Sequence, residues 1–284
     1  MAEVTDGTTE GLPSPVPDAG APATIRRQRM LALIGERGFV RVGDLSEMFG
    51  VSDVTVRSDL AWLEGAQGIR RVHGGAMPRV TGPLHELSFE ETLESSADEK
   101  RAIARNAVDL VQPGMSVVVD VGSTCMAVAR ELVRREDLYD VTVITNGLTI
   151  ALELENAVPR LQVIVTGGTL RPLQHSLVAP LAADMFQHVH ADVAFIGCNG
   201  VDAAGGVTNI NLPEAELKRD MVQASSRAVV VADGSKAGRV HLGRIGELAD
   251  FDAVYLGASA EAAVVRSLRE SGTTRIVTVE TDPA

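Results

Sequence analysis

Two short amphipathic segments on either side of a glycine constrain this chain more than any other feature. In Arg41–Pro78, RVGDLSEMFGVSDVTVRSDLAWLEGAQGIRRVHGGAMP, the residues Val42, Leu45 and Phe49 share one face of a short first helix. Gly50 stops it, because glycine enters the left-handed region without steric cost. Val51 plugs the turn. Ser52 is a good N-cap for a second helix, and Asp53 in its first turn suits the positive end of the helix dipole. Val56, Leu60 and Leu63 then recur at helical spacing and should face inward. Val54, Thr55, Arg57, Ser58 and Ala61 are left on the free face and its flanks. A helix presenting small, hydroxyl and guanidinium groups can enter a DNA major groove and meet base edges. The competing reading is an ordinary helical hairpin with a solvated polar face.

The next segment favours DNA. Gly68-Ile69-Arg70-Arg71-Val72-His73-Gly74-Gly75-Ala76 is too short and too rich in glycine for a helix. It reads as a two-stranded wing with a glycine tip, and Arg70, Arg71 and His73 can grip phosphate or the minor groove. VSDVTVRSDLAWLE followed by RRVHGGA closely resembles the winged helix-turn-helix signature of the DeoR family of bacterial transcription regulators. The resemblance implies operator contacts from Ser52, Asp53, Val54, Thr55, Arg57, Ser58, Arg70, Arg71, His73, Gly74 and Gly75. Ser58 departs from the pattern, since many members carry a second arginine there.

The charge of the whole chain, −12, argues against a nucleic-acid partner until its distribution is read. Residues 24–79 hold 9 basic and 6 acidic side chains, a net of +3, which leaves 17 basic and 32 acidic elsewhere. An acidic body that repels DNA while a basic head docks would orient the encounter. The two cysteines, Cys125 and Cys198, have no paired spacing for zinc and read as buried thiols in a reduced cytosol. No apolar run is long enough to cross a bilayer, and no signal-peptide core opens the chain, so the expectation is a soluble cytoplasmic protein without membrane contact.

The 284 residues suit one small and one medium domain, and 45% hydrophobic residues suffice for a core. Residues 1–23, with four acids and no Lys or Arg, read as a disordered tail. Residues 24–79 form the winged helix-turn-helix domain. It starts with a helix to about Arg37 whose apolar stripe is Ile25, Met30, Leu33 and Ile34. Arg26, Arg27 and Arg29 at its start either meet the DNA backbone or are simply solvated. Residues 80–97, with Gly82, Pro83 and the acids Glu86, Glu90, Glu91 and Glu94, read as a linker in which Phe89 anchors on a neighbour. In residues 98–284, β-branched strands alternate with amphipathic helices. The fold class is α/β, with a Rossmann-like, largely parallel sheet covered on both faces, and the family resemblance implies that this part binds effector and mediates oligomerisation.

In such sheets ligands sit beyond the carboxyl ends of the strands. After the first strand comes Asp120-Val121-Gly122-Ser123-Thr124 and then a helix, an arrangement of glycine, hydroxyls and helix-start amides that suits a phosphate, although Ser and Thr also simply cap helices. Thr145-Asn146-Gly147, Thr166-Gly167-Gly168-Thr169, Gly197-Cys198-Asn199-Gly200 and Asp233-Gly234-Ser235-Lys236 each follow an apolar strand. Singly they are normal turns; together they suggest a pocket. Lys218, Arg219, Lys236 and Arg171 are candidate cations for it. There is no GxGxxG after a strand and no GxxxxGK[ST], so no dinucleotide or nucleotide cofactor is expected.

The DeoR-family resemblance continues through VVVDVGST, TGGTLRP, ADVAFIGCNGVD, NLPEAELKRDMV and VVVADGSKAGR. It implies an effector domain related to sugar-phosphate isomerases and a phosphorylated sugar or related metabolite as effector. Residue by residue, it puts the phosphate end at Asp120 to Thr124, with Asn199, Glu214, Lys218 and Lys236 around the sugar. Cys125, Asn146, Gly167, Gly168 and Arg171 complete the candidate site. Cys125 and Asn209-Ile210-Asn211 depart from the pattern, where small hydroxyl and threonine-rich residues are common. The wording VTVRSDLAWLE leans toward members that control amino-sugar or polyol catabolism. The expected function is an operator-binding regulator, foremost a repressor of a sugar catabolic operon, acting as a homo-oligomer (dimer or tetramer). The rival is a sugar-phosphate isomerase carrying a DNA-binding head, in which Asp120, Glu214 or Glu216 would abstract a proton and Lys236 would stabilise an enediolate.

Overall fold

The computed structural model describes residues 23–37, 39–65, 69–78, 86–272 and 274–281. The expected tail over residues 1–22 therefore lies outside the described residues, and Ala23 already belongs to the first helix. The chain divides into two compact units, Met1–Pro83 and Leu84–Ala284.

The first unit runs α1 (Ala23–Arg37), β1 (Val40–Arg41), α2 (Val42–Phe49), α3 (Asp53–Gly65), β2 (Ile69–Val72) and β3 (Gly75–Pro78), with an antiparallel sheet ordered β1-β3-β2. Gly50 ends α2 in the left-handed region, at φ 61, and its N–H returns to the Ser46 carbonyl. Ser52 caps α3 by accepting the Thr55 N–H at 3.3 Å. Met30, Ile34, Leu45, Val56, Leu60, Leu63 and Ile69 fill the core. Ile25, expected on the buried stripe of α1, is exposed. The inward face runs instead through positions 26, 27, 30 and 34, which share one side of a 3.6-residue helix; its first turn is therefore made of arginines.

Strand β1 lies across Gly75, where an added Cβ would stand 2.4 Å from the Val40 carbonyl oxygen and 2.7 Å from the Phe39 ring. That backbone oxygen cannot swing aside as a side chain would. Gly75→Ala is expected to destabilise the unit by about 1–3 kcal/mol through overpacking, read as a lower melting temperature of its calorimetric transition.

The second unit opens with α4 (Phe89–Glu94) and α5 (Ala97–Val108). There follow β4 (Ser116–Val119), α6 (Ser123–Arg134), β5 (Val141–Thr145), α7 (Leu148–Leu154), β6 (Leu161–Val165), β7 (Thr169–Arg171), β8 (Ser176–Val178), α8 (Leu181–Phe186) and β9 (Val193–Ile196). The chain continues through β10 (Gly200–Asp202), β11 (Gly206–Asn209), α9 (Leu212–Gln223), β12 (Ala228–Ala232), β13 (Gly243–Gly246), β14 (Ala253–Gly257), α10 (Ala262–Glu270) and β15 (Arg275–Val279). The main sheet is ordered β15-β14-β12-β9-β4-β5-β6, and every neighbouring pair in it is parallel. Its central strands β12, β9 and β4 are buried on both faces. Val117 and Val119 enter one apolar cluster with Ile103, Leu132 and Phe195, while Val118 between them enters the other with Ile196, Leu217 and Met221. No helix of the described residues is long and apolar enough to cross a membrane.

Two features differ from the expected layout. Residues 86–97 are not a linker but part of the second unit. Helix α4 carries a capping box, with the Ser88 side chain accepting the Glu91 N–H and Glu91 accepting the Ser88 N–H at 2.7 Å, and Phe89 is buried in the core. In addition, short antiparallel pieces decorate the sheet: the hairpin β7–β8 and the three strands β10-β11-β13.

The chain passes outward from β4 through β5 to β6, and from β9 through β12 and β14 to β15 in the other direction. The order therefore reverses between β4 and β9, and the crevice beyond their carboxyl ends is where this architecture accommodates ligands.

Candidate functional site

Helix α3 is locked on one side and bare on the other. Asp59, almost wholly buried, accepts hydrogen bonds from Arg26 Nε at 2.6 Å and Arg27 Nε at 2.7 Å. The Arg27 guanidinium also lies 4.8 Å from the centre of the Trp62 ring. Both arginines, weighed in the sequence as DNA-backbone contacts or solvated charges, instead clamp α1 to α3. The opposite face presents Asp53, Val54, Arg57, Ser58 and Ala61 to solvent, Val54 at 77% exposure, beside exposed Ser52 and half-buried Thr55.

The wing stands next to this face. His73 and Gly74 form its exposed tip, with Gly74 at φ 81 and its carbonyl accepting the Val42 N–H at 2.9 Å. Arg71 pairs through Nε with Glu64 of α3 at 3.0 Å, and its backbone N–H donates to the same carboxylate at 2.9 Å. That holds the wing to the reading helix while much of the guanidinium stays at the surface. Arg70 is half-buried, with Nη2 2.8 Å from the Met77 sulfur, and burial lowers its pKa. Gly75 is buried beneath β1, so its part is close packing rather than a surface contact.

In the second unit, Asp120 follows β4 and is fully buried. Its Oδ2 accepts the Gly197 N–H at 2.9 Å and also pairs with the Lys218 ammonium, which reaches the Gly197 carbonyl at 3.2 Å. Burial works against the charge on Lys218, but the Asp120 and Glu214 carboxylates together outweigh it and hold the ammonium pKa above its ordinary value. Asp120 Oδ1 has no hydrogen-bond partner among the described residues. Lys218 sits one turn from Glu214 on α9, so both project from one face, and both are buried.

Glu214 Oε1 accepts from Ser176 Oγ at 2.6 Å and from Arg171 Nη1 at 2.9 Å, and Oε2 accepts from Asn209 Nδ2 at 3.3 Å. Arg171 in turn forks onto Glu86, through Nη1 to Oε1 at 3.1 Å and through Nη2 to Oε2. Asn146 joins the phosphate-type loop to the hairpin. It accepts the Val121 N–H at 3.1 Å and donates to the Leu177 carbonyl at 3.3 Å.

Gly122 lies at φ 122, and a Cβ there would meet nothing within 4 Å, so the backbone borders open space. No side chain caps the twelve-residue helix α6 that follows. Ser123 is half-buried and Thr124 buried at its first turn. Cys125 is wholly buried with Sγ 3.7 Å from the Phe195 carbonyl, and burial pushes its thiol pKa up; it packs beneath the loop. Cys198 is likewise pushed up to about 12 by burial.

Gly167, at φ 71, is open above, whereas Gly168 packs so closely that a Cβ would stand 2.3 Å from the Val178 carbonyl oxygen. Asn199 accepts the Ile210 N–H at 2.9 Å, and Lys236, half-buried, sits 4.0 Å from Asp233. The structure thus brings Asp120, Asn146, Arg171, Glu214 and Lys218 into one connected group, while Asn199 and Lys236 are held by other partners. Ser176 belongs to that group without any signal in the sequence, as do Glu86, which reads there as a linker acid, and Asn209, which stands out only as a departure from the family pattern; Asp59 and Trp62 are likewise unmarked in the first unit.

Comparison with known proteins agrees with both units. Residues 26–78 match the model of the DeoR-like helix-turn-helix domain and residues 95–257 that of the DeoR C terminal sensor domain. A protein of Escherichia coli O157:H7 named for repression of the aga operon is 36% identical over 87% of this chain and 91% of its own. GlpR of Haloferax volcanii is 33% identical over 88% and 95%, and the glycerol-3-phosphate regulon repressor of Escherichia coli K12 is 30% identical over 87% and 96%. Among solved structures, ribose 5-phosphate isomerase A of Methanocaldococcus jannaschii is similar at 23% identity, covering 50% of this chain and 55% of that one, with a TM-score of 0.34. With both of its units matched in order and relatives of this identity aligned along almost their whole length, the chain belongs to the DeoR family of transcription regulators.

Proposed function

We propose that this chain is an effector-responsive repressor of a sugar catabolic operon, binding double-stranded operator DNA through its first unit and a phosphorylated sugar through its second. The observation that carries the reading is the two-sided character of α3: one side locked by Asp59, Leu60 and Leu63, the other bare with Arg57 at its centre. In this reading α3 lies in the major groove and the wing meets the backbone beside it. The names of the relatives, which include repressors of the aga operon and of the glycerol-3-phosphate regulon, support the choice of repressor and of a phosphorylated effector.

The second unit receives the phosphoryl group at Gly122–Thr124, over the uncapped start of α6. Asp120, Glu214 and Asn199 surround the hydroxyls. The effector acts by linkage: it binds best to the form that holds operator poorly, and a coupling of roughly 1–3 kcal/mol changes operator affinity ~5–150-fold. A cytoplasmic homo-oligomer, dimer or tetramer, places two heads on repeated half-sites. Of the bases the isomerase alternative would use, Asp120 is already paired with Lys218 and Gly197 and Glu214 with Arg171, Ser176 and Asn209, while Glu216 is exposed, which disfavours that alternative.

Arg57→Ala is the test. Its operator affinity should fall by about 1–3 kcal/mol, ~5–150-fold, while sugar-phosphate binding by calorimetry stays as in the unaltered chain. Undiminished operator affinity would remove α3 from the interface.

A further inference from the structure

The first described segment of the second unit, residues 86–90, is tied to the β7–β8 hairpin at four points. Glu86 fills the fork of Arg171, the Leu87 carbonyl accepts from Gln174 Nε2 at 2.7 Å, and Glu90 pairs with His175 at 2.6 Å. The Phe89 ring meets the His175 ring edge-on at 5.8 Å. The same hairpin is bonded to Asn146, which holds the Gly122 loop by the Val121 N–H. One short element therefore contacts both the effector crevice and the segment into which the chain passes from the DNA-reading unit.

A guanidinium fork holds a carboxylate or a phosphoryl group bidentately, and by the same edge it cannot hold both. Lys218, the other buried cation of this group, is committed to Asp120. Arg171 is only part-buried, at 18% side-chain exposure, and its other carboxylate partner, Glu214, is more deeply buried than Glu86.

We infer that Glu86 is an internal competitor of the effector: the phosphoryl group takes the Arg171 fork from it, and losing that pair loosens residues 86–94. The inference rests on the crevice being the effector site and adds the residue by which occupancy leaves the site. Burial already works against the charge on Glu86, so the pair with Arg171 is the part of its setting that a phosphoryl group can replace, and that phosphoryl group gains a cation. By reciprocity, docking of the segment must weaken phosphoryl binding by the same factor that phosphoryl binding weakens docking.

The experiment uses the full chain with inorganic phosphate as probe at constant ionic strength. Calorimetry of Glu86→Gln should give phosphate binding at least about fivefold tighter than in the unaltered chain. Amide exchange in α4 should speed up on adding phosphate to the unaltered chain and be fast with or without phosphate in Glu86→Gln. Arg171→Lys should bind phosphate more weakly while its α4 exchanges faster, a pair of effects that only a shared fork produces. Equal or weaker phosphate affinity in Glu86→Gln, unchanged exchange in α4, or no phosphate binding by either protein overturns the inference. These outcomes are separate from those for the regulator itself: a sugar phosphate that releases operator equally in Glu86→Gln and the unaltered chain removes the competitor and leaves the regulator standing.

Discussion

Asp59→Ala is expected to melt the DNA-reading unit while leaving the second unit intact. The carboxylate is 2% exposed and holds two guanidiniums that are 13% and 22% exposed. Removing one member of such a buried group costs about 3–5 kcal/mol when the remaining charges stay buried. Arg26 and Arg27 lie close enough to the surface to relax outward, so a loss of about 2–3 kcal/mol is the better figure. For so small a unit each kcal/mol moves the melting temperature by roughly 4–8 °C, which gives a fall of about 8–24 °C. Calorimetry should show the transition of the first unit shifted and that of the second in place, and operator affinity should drop with it. The effect acts through the fold of α3 and not through a base contact. Asp59→Asn, which retains an acceptor oxygen, should therefore recover part of both losses. A melting profile unchanged by Asp59→Ala would mean that the clamp between α1 and α3 contributes nothing.

The second large effect belongs to Lys218→Met. It leaves the Asp120 carboxylate fully buried with its cation gone, a situation that costs about 3–5 kcal/mol. At roughly 2–4 °C per kcal/mol for a unit of this size, the melting temperature of the second unit should fall by about 6–20 °C. The loss should also depend on pH. Burial already raises the Asp120 carboxyl above its ordinary value, and losing Lys218 removes the main group that opposes this rise, so the protonated form is favoured more strongly in the folded state. The stability deficit should therefore be smallest at low pH and grow as pH rises through the raised value. Asp120→Asn combined with Lys218→Met should be more stable than Lys218→Met alone, because the neutral amide needs no counter-ion. A double variant no better than the single one would deny that the buried charge is the cause.

Much of this layout follows from periodicity. Val56, Leu60 and Leu63 at helical spacing, Gly50 between two short helices, and valine-rich strands alternating with helices lead directly to the observed units. Asp120 and Asn146 come together because a parallel sheet puts the carboxyl ends of β4 and β5 on one edge, and Arg171 from the β7–β8 hairpin and Glu214 and Lys218 from α9 join them there.

What periodicity did not reveal depends on long-range pairing or close approach. Glu86 stands among acids that look like an ordinary solvated linker, and its partner Arg171 is 85 residues away. Asp59 occupies a buried position that an apolar residue would normally fill, and only the two arginines of α1 make it tolerable there. Ile25 was assigned inward on apolarity although Arg26 and Arg27 hold that side of α1. Strands of three residues, as in β7 and β8, are too short to show alternation. Gly75 and Gly168 look like loop glycines in a sequence, whereas the constraint on each is a carbonyl oxygen pressed against its Cα. The capping box Ser88-Phe89-Glu90-Glu91, by contrast, is legible in the sequence as Ser followed three residues later by Glu, and it marks the start of the second unit's helices.

The central claim is that one molecule couples a sugar-phosphate crevice to operator DNA. The direct measurement is operator affinity of the full chain, at fixed salt, with and without a phosphorylated sugar that raises the melting temperature of the second unit. The account predicts a fall of ~5–150-fold on adding that sugar. A sugar phosphate that binds and stabilises the second unit while operator affinity stays the same would contradict it.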